Sequence, residues 1–152
     1  MSRCEFCSII SGEAPAEVLY RNEHAIAILD IRPIHRGHVL VIPLRHAENF
    51  LDVPAGDCAG LFGALRVVTR GLVDALQPPG FNVFSNNGAA AGQSVFHFHF
   101  HVTPRYHDDN IRFVLELQSY KPNEMPEYGR RIREAIASPP HRRTGHTMKE
   151  NL

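Results

Sequence analysis

Gln93-Ser94-Val95-Phe96-His97-Phe98-His99-Phe100-His101-Val102-Thr103 is the stretch from which the rest of the chain can be read. Histidine alternates with phenylalanine through its centre. Strand side chains point to opposite faces with period 2, so the pattern predicts a strand with His97, His99 and His101 on one face. Phe96, Phe98, Phe100 and Val102 fall on the other, which reads as core. Same-face neighbours on a strand lie about 7 Å apart and the outer two about 13 Å. Ligands of one zinc ion lie about 2 Å from it, so at most about 4 Å from one another. Three histidines on a straight strand do not gather around one ion, although an adjacent pair can. A row of imidazoles along an extended anionic substrate, with the middle ring at the reacting atom, suits the spacing. The plainer alternative is a polar strand face that happens to carry histidine; perfect alternation beside a Gly-Gln-Ser step argues against it.

The preceding loop, Asn86-Asn87-Gly88-Ala89-Ala90-Ala91-Gly92, leads into Gln93 and Ser94. Glycines let backbone N–H groups approach an anion closely, and Gln93 and Ser94 add side-chain donors. Coupled to the histidines, this reads as a phosphate cradle. Neutral imidazole is a competent nucleophile near pH 7. Attack by His99 on phosphorus would form a nucleotidyl-histidine that water then opens. His101 and the loop amides would neutralise charge on the phosphoryl oxygens, and Ser94 could pass a proton to the leaving group.

The 152 residues suffice for one domain with a real core. With 16 basic and 16 acidic residues, bulk charge gives no support for nucleic-acid or membrane binding. No apolar run is long enough to span a bilayer, and the amino terminus lacks the apolar core of a secretory signal. A cytoplasmic location is the default. In a reducing compartment Cys4-Glu5-Phe6-Cys7 suits metal capture or redox chemistry better than a disulfide; Cys58 reads as a small buried apolar residue.

Residues 4 to 11 predict a short helix ended by Gly12. Glu17–Tyr20 and Ala25–Ile31 predict a hairpin. His38–Ile42 predicts a third strand, stopped by Pro43. Asp52 is a plausible cap, and Pro54 a first-turn residue, for a long helix in which Leu61, Leu65, Val68, Leu72 and Leu76 form one stripe. Gln77-Pro78-Pro79-Gly80 ends it, and Phe81–Ser85 predicts a fourth strand. Ile111–Leu117 is read as extended. Met125–Ala137 predicts an amphipathic helix with Tyr128, Ile132 and Ile136 inward. Residues 138–152 read as a flexible tail. No second-domain boundary is visible. The expected class is α+β: a five-stranded antiparallel sheet, one long helix, a short amino-terminal helix and a carboxy-terminal helix.

The chain resembles the histidine triad (HIT) superfamily, whose signature is His-φ-His-φ-His-φ-φ with φ apolar. His97-Phe98-His99-Phe100-His101-Val102-Thr103 matches it except at Thr103. Leu29-Asp30-Ile31-Arg32-Pro33, Gly37-His38-Val39-Leu40-Val41-Ile42-Pro43 and Ala91-Gly92-Gln93-Ser94 resemble the family's other blocks, in order. The resemblance implies a HIT domain over 1–137, with its triad core over 4–106 and an extension over 107–137. It further implies a homodimer and a purine nucleotide of AMP or GMP type, with His99 as nucleophile. Phe6, Ile9, Ile28 and Ile31 would surround the base, and Asp30 would hold the ribose hydroxyls. Asn86, Gly92, Gln93, Ser94 and His101 would meet the phosphates, and His38 would support the triad. The zinc-containing branch of the family implies one structural zinc per chain on Cys4, Cys7, His46 and His97, and no organic cofactor. The activity implied is nucleotide hydrolysis at the α-phosphorus of nucleoside phosphoramidates, adenylylated amines or dinucleoside polyphosphates. His101 occupies the position where transferase branches tend to carry glutamine, which favours hydrolysis. A zinc-stabilised nucleotide-binding module with incidental hydrolysis is the competing reading.

Overall fold

The computed structural model describes residues 4–112 and 114–138. The chain divides into two compact units, one ending at Ile111 and one beginning at Arg112. The division falls inside the extension expected over 107–137.

The first unit holds a five-stranded antiparallel sheet in the order β1-β2-β3-β5-β4. Its strands are β1 (Val18–Arg21), β2 (Ala25–Leu29), β3 (Val39–Pro43), β4 (Gly80–Phe84) and β5 (Phe100–Arg105). Two helices accompany them: α1 (Glu5–Ile10) and α2 (Ala55–Leu76). β2 and β3 are buried on both faces, which is why they read as unbroken apolar runs rather than alternating ones. Small Ala25 and Ala27, with Val39 and Val41, pack with Leu61, Ala64, Leu65, Val68 and Leu72 of α2. On the opposite face Ile26, Ile28, Leu40 and Ile42 pack with Phe6 of α1. Burial of one such large aliphatic side chain contributes about 1.5–3 kcal/mol.

Several local expectations are corrected. The histidine strand begins only at Phe100, so His97 and His99 precede it rather than lie within it. Val41 pairs with Phe100, and continuing that register sets Phe98 opposite Pro43, which has no N–H for the ladder. The Phe98 N–H donates instead to the Ala47 carbonyl at 2.6 Å. Phe98 and Val102 still reach the core, with Phe100 packed against it, but Phe96, beyond the end of the ladder, is 49% exposed. Pro43 ends β3 from within, as its last residue paired with Ala25, rather than standing just beyond the strand. Asp52 does not cap α2: Asn49 and Asp52 form a capping box on a short 3-10 turn, Phe50–Asp52, and Pro54 stands at the N-cap of α2. Of the predicted stripe, Leu61, Leu65, Val68 and Leu72 are buried, whereas Leu76 is exposed near the helix end.

In the second unit, α3 (Glu124–Ala137) forms as expected but buries none of its residues. Tyr128, Ile132 and Ile136 are all exposed rather than inward. Helical periodicity identifies a shared face; it does not supply a surface to cover it. Arg130 pairs along the helix with Glu127 and Glu134, solvent-screened contacts at i,i+3 and i,i+4 spacing. The run expected to be extended between Ile111 and Leu117 forms no strand among its described residues. The predicted tail, beyond Ser138, lies outside the described residues.

Candidate active site and metal site

One pocket of about 370 Å³ opens on the α1 face of the sheet. Phe6, Ile9, Ile28, Asp30, Ile31, Ser94, His99 and His101 all line it. Three stretches that are distant in sequence, 6–9, 28–31 and 94–101, thus converge there. Glu5, Pro15, Ala16, Leu29, Arg32, Leu40 and Val95 complete the lining; none of these was given a site role from the sequence. His38 is buried beneath, at 2% exposure. Asn86, Gly92 and Gln93 do not line the pocket.

His99 is buried and oriented from behind. Its Nδ1 lies 2.7 Å from the carbonyl oxygen of His97. A carbonyl only accepts, so Nδ1 carries the proton and Nε2 holds the free lone pair. Burial lowers the His99 pKa below the ordinary histidine value, with the His97 carbonyl and Asp30 acting the other way. The ring is therefore neutral near pH 7, and Phe6 meets it edge-on at 5.0 Å.

His101 sits 4.7 Å from His99 between ring centroids. Its Nδ1 is 3.0 Å from Nε2 of His38. His38 Nδ1 accepts the Ile34 N–H at 3.2 Å, which places the His38 proton on Nε2 and makes that nitrogen the donor to His101. His101 then carries its own proton on Nε2. Asp30 Oδ2, 3.4 Å from His38 Nδ1, is the acceptor for that nitrogen should it gain a proton. Burial, with His99 and His38 nearby, pushes His101 down to about 4. Burial also lowers His38, against the pull of Asp30. Phe84 stacks on His101 at 4.6 Å with rings 11° from parallel. Its cross-strand pairing with His101 is a relationship that sequence alone could have exposed only with the β4–β5 register in hand.

The loop before the triad is tightly bonded to itself. Gln93 is buried, its Oε1 accepting the Gly88 N–H at 2.7 Å and its Nε2 donating to the carbonyls of Glu48 and Val95 at 2.6 and 3.1 Å. Asn86 Nδ2 donates to the Gly92 carbonyl at 3.3 Å.

His97 turns away from this pocket. Its Nε2–H donates to the Pro43 carbonyl at 2.9 Å, leaving the Nδ1 lone pair 3.4 Å from Cys4 Sγ and 3.7 Å from Cys7 Sγ. His46 Nδ1 lies 3.4 Å from Cys7 Sγ. A tetrahedral ion with sulfur at about 2.3 Å and nitrogen at about 2.0 Å sets its S and N ligands about 3.5 Å apart. The donor set and spacing therefore fit, and Cys4, Cys7, His46 and His97 could hold a metal ion. The Pro43 carbonyl fixes the tautomer that such a ligand needs.

The HIT domain model matches residues 11–108. The chain belongs to the HIT family. This is a superfamily of nucleotide-binding hydrolases, and the triad, the pocket and the order of the strands agree with membership. The HIT chain is 38% identical over 138 residues to "Protein hit" of Bacillus subtilis, covering 89% of this chain and 95% of that protein. A crystal structure of a HIT family member from Bacillus subtilis superposes with a TM-score of 0.85 at 37% identity, covering 91% of this chain and 100% of that one. A zinc-bound histidine triad family protein from Mycobacterium smegmatis superposes with a TM-score of 0.67 at 40% identity, covering 88% of this chain and 93% of that one.

Proposed function

We propose that this HIT protein is a nucleotide hydrolase that breaks the bond between the α-phosphorus and the leaving group through a nucleotidyl-His99 intermediate. Its substrates would be nucleoside phosphoramidates, adenylylated amines or dinucleoside polyphosphates, with a purine base of AMP or GMP type. The observation that carries this reading is the His99 Nδ1–H bond to the His97 carbonyl at 2.7 Å, which leaves a free nitrogen lone pair on a ring that lines the pocket.

The base would lie among Phe6, Ile9, Ile28 and Ile31, with Asp30 accepting from the ribose hydroxyls. His99 Nε2 attacks phosphorus; the N–P bond forms as the bond to the leaving group breaks. The positive charge that develops on the ring is stabilised at Nδ1–H by the His97 carbonyl. His101 Nε2–H donates to a phosphoryl oxygen, and His38 holds His101 in that tautomer. Ser94 passes a proton to the leaving group. Water then displaces His99 from phosphorus, its proton restores the Ser94 hydroxyl, and a nucleoside monophosphate leaves.

Two thiolates and two imidazoles suit zinc among common metals. A closed four-ligand zinc would supply structural cross-linking only, fastening the start of α1 to the ends of β3 and the triad segment. Assembly as a homodimer has support in β4, an edge strand with Phe81 and Val83 exposed, beside Val67, Arg66 and Arg70 of α2. Unpaired edges of this kind accept a second strand. A cytoplasmic setting would keep Cys4 and Cys7 reduced.

Turnover of an adenosine phosphoramidate, an adenylylated lysine and diadenosine tri- and tetraphosphate by wild type and His99→Asn tests the reading. AMP release by wild type and none by the variant is expected; equal release by both removes His99 from the reaction.

A further inference from the structure

We propose that Gln93 is a positioning residue that braces the loop beside the triad and makes no bond to the substrate; the proposal rests on the reading of this pocket as a nucleotide-cleaving site. Phosphoryl oxygens only accept hydrogen bonds, so a side chain that binds them needs an N–H or O–H to spare. A primary amide has two N–H bonds, and Gln93 commits Nε2 to two backbone carbonyls, those of Glu48 and Val95. The amide cannot be turned over, because its other end faces a donor, the Gly88 N–H. The residue is 6% exposed, and the pocket is lined by its successors Ser94 and Val95 rather than by Gln93 itself.

What the amide holds is specific. Gly88 and Gly92 have φ of +87° and +83°, a region that favours glycine. The loop between them is closed twice across Gly88 and Gln93: by Gln93 N–H to the Gly88 carbonyl at 3.1 Å and by Gly88 N–H to Gln93 Oε1 at 2.7 Å. The bond to Val95 then sets the chain direction through Ser94. The bond to Glu48 ties the loop to the segment that follows His46, where two parallel ties end. Phe50 N–H donates to Asn87 Oδ1 at 2.7 Å, and Phe98 N–H, between two triad histidines, donates to the Ala47 carbonyl at 2.6 Å. Gln93 thus registers the loop and Ser94 against the same backbone that registers His97 and His99. Its loss loosens the alignment needed at reaction more than it weakens ground-state binding.

The test uses the full chain with its metal content measured, and Gln93→Met, which keeps the length and removes every side-chain hydrogen bond. Adenosine 5′-phosphoramidate is the substrate, AMP the ligand, and hydrogen exchange at the Gly88 amide the structural readout. We expect kcat to fall roughly 10- to 100-fold, KM and the AMP Kd to stay within about threefold, and Gly88 exchange to quicken at least about tenfold. Unchanged kcat overturns the proposal. So does a KM and AMP Kd that rise in step with the loss of kcat/KM while Gly88 exchange holds steady, the pattern of a direct phosphate contact. Should Gln93→Met fail to fold, Gln93→Glu keeps the acceptor for Gly88 and loses both donors. Reduced kcat with near-wild-type Gly88 exchange and KM is then expected, and wild-type kcat overturns the proposal. If wild type cleaves no phosphoramidate, the proposed function fails on its own, and Gly88 exchange still decides whether Gln93 is the brace.

Discussion

His99 Nδ1 and the carbonyl oxygen of His97 are 2.7 Å apart, so the residue that starts the triad fixes the tautomer of the residue at its centre. One backbone acceptor thereby separates two jobs in one short run. The His97 ring faces the cysteines, its carbonyl faces His99, and the free nitrogen of His99 is left for the pocket.

Removing that nitrogen should abolish chemistry without emptying the pocket. His99→Ala is expected to lower kcat by at least about 1000-fold while AMP still binds, because the apolar base wall and Asp30 are untouched. Calorimetric titration with AMP beside a turnover assay checks this. Loss of both in a folded variant would point to a binding role for the ring.

Phe84 lies flat against His101 and shields it from water. Phe84→Ala admits solvent to the imidazole, so the His101 pKa should rise from about 4 toward the ordinary 6.5. NMR titration of the ring measures it directly, and a roughly tenfold drop in kcat near pH 7 should accompany the rise. An unmoved pKa would show that the stack contributes no desolvation.

Acid should destabilise this fold before it reaches the carboxylates. Burial, the leading cause in each case, holds His38, His99 and His101 below 6.5. Between those lowered values and 6.5 the unfolded chain binds more protons than the folded one, so stability rises with pH through that window and levels off above it. Melting temperature should fall as pH drops from about 7 to about 5, and His101→Asn should flatten part of the fall. His101 lies outside the set Cys4, Cys7, His46 and His97, so the difference between the two curves separates its protonation from loss of a metal held there.

Metal removal should act on structure first. Cys7→Ser, or chelation of wild type, is expected to lower the melting temperature and weaken AMP binding, since α1 carries Phe6 and Ile9 into the pocket. Elemental analysis should find one ion per wild-type chain and none in Cys7→Ser. Identical melting curves with and without metal would refute a structural role.

Core packing should be separable from the site. Leu61 is 1% exposed beneath the sheet, on the face opposite the pocket. Leu61→Ala should cost about 2–5 kcal/mol of unfolding free energy, read by urea denaturation, with KM unchanged.

Period-2 alternation was enough to assign Phe98, Phe100 and Val102 to the core side, although only Phe100 and Val102 lie in β5. Phe96 escaped it, since the ladder that enforces alternation ends where Pro43 offers no N–H. The long helix was legible from its leucines, but its start was not: Asp52 has the chemistry of a cap and spends it on the preceding turn with Asn49. Phe6, Ile9 and Asp30 were implied by the family resemblance and Ser94 by its donor beside the Gly-rich loop, and all four meet in one pocket. Gln93 shows the limit most sharply. Composition reveals a donor beside a loop, and only the fold reveals that both its N–H bonds are already used. In α3 the apolar face was legible and its exposure was not, because periodicity says nothing about neighbours.

The most direct measurement is acid-quench mass spectrometry of wild type mixed briefly with adenosine 5′-phosphoramidate. An adenylyl group on the peptide that carries His99, absent from His99→Asn and lost again as AMP forms, is the predicted result. Rapid AMP formation with no adduct at any time, or an adduct on another residue, would contradict the account.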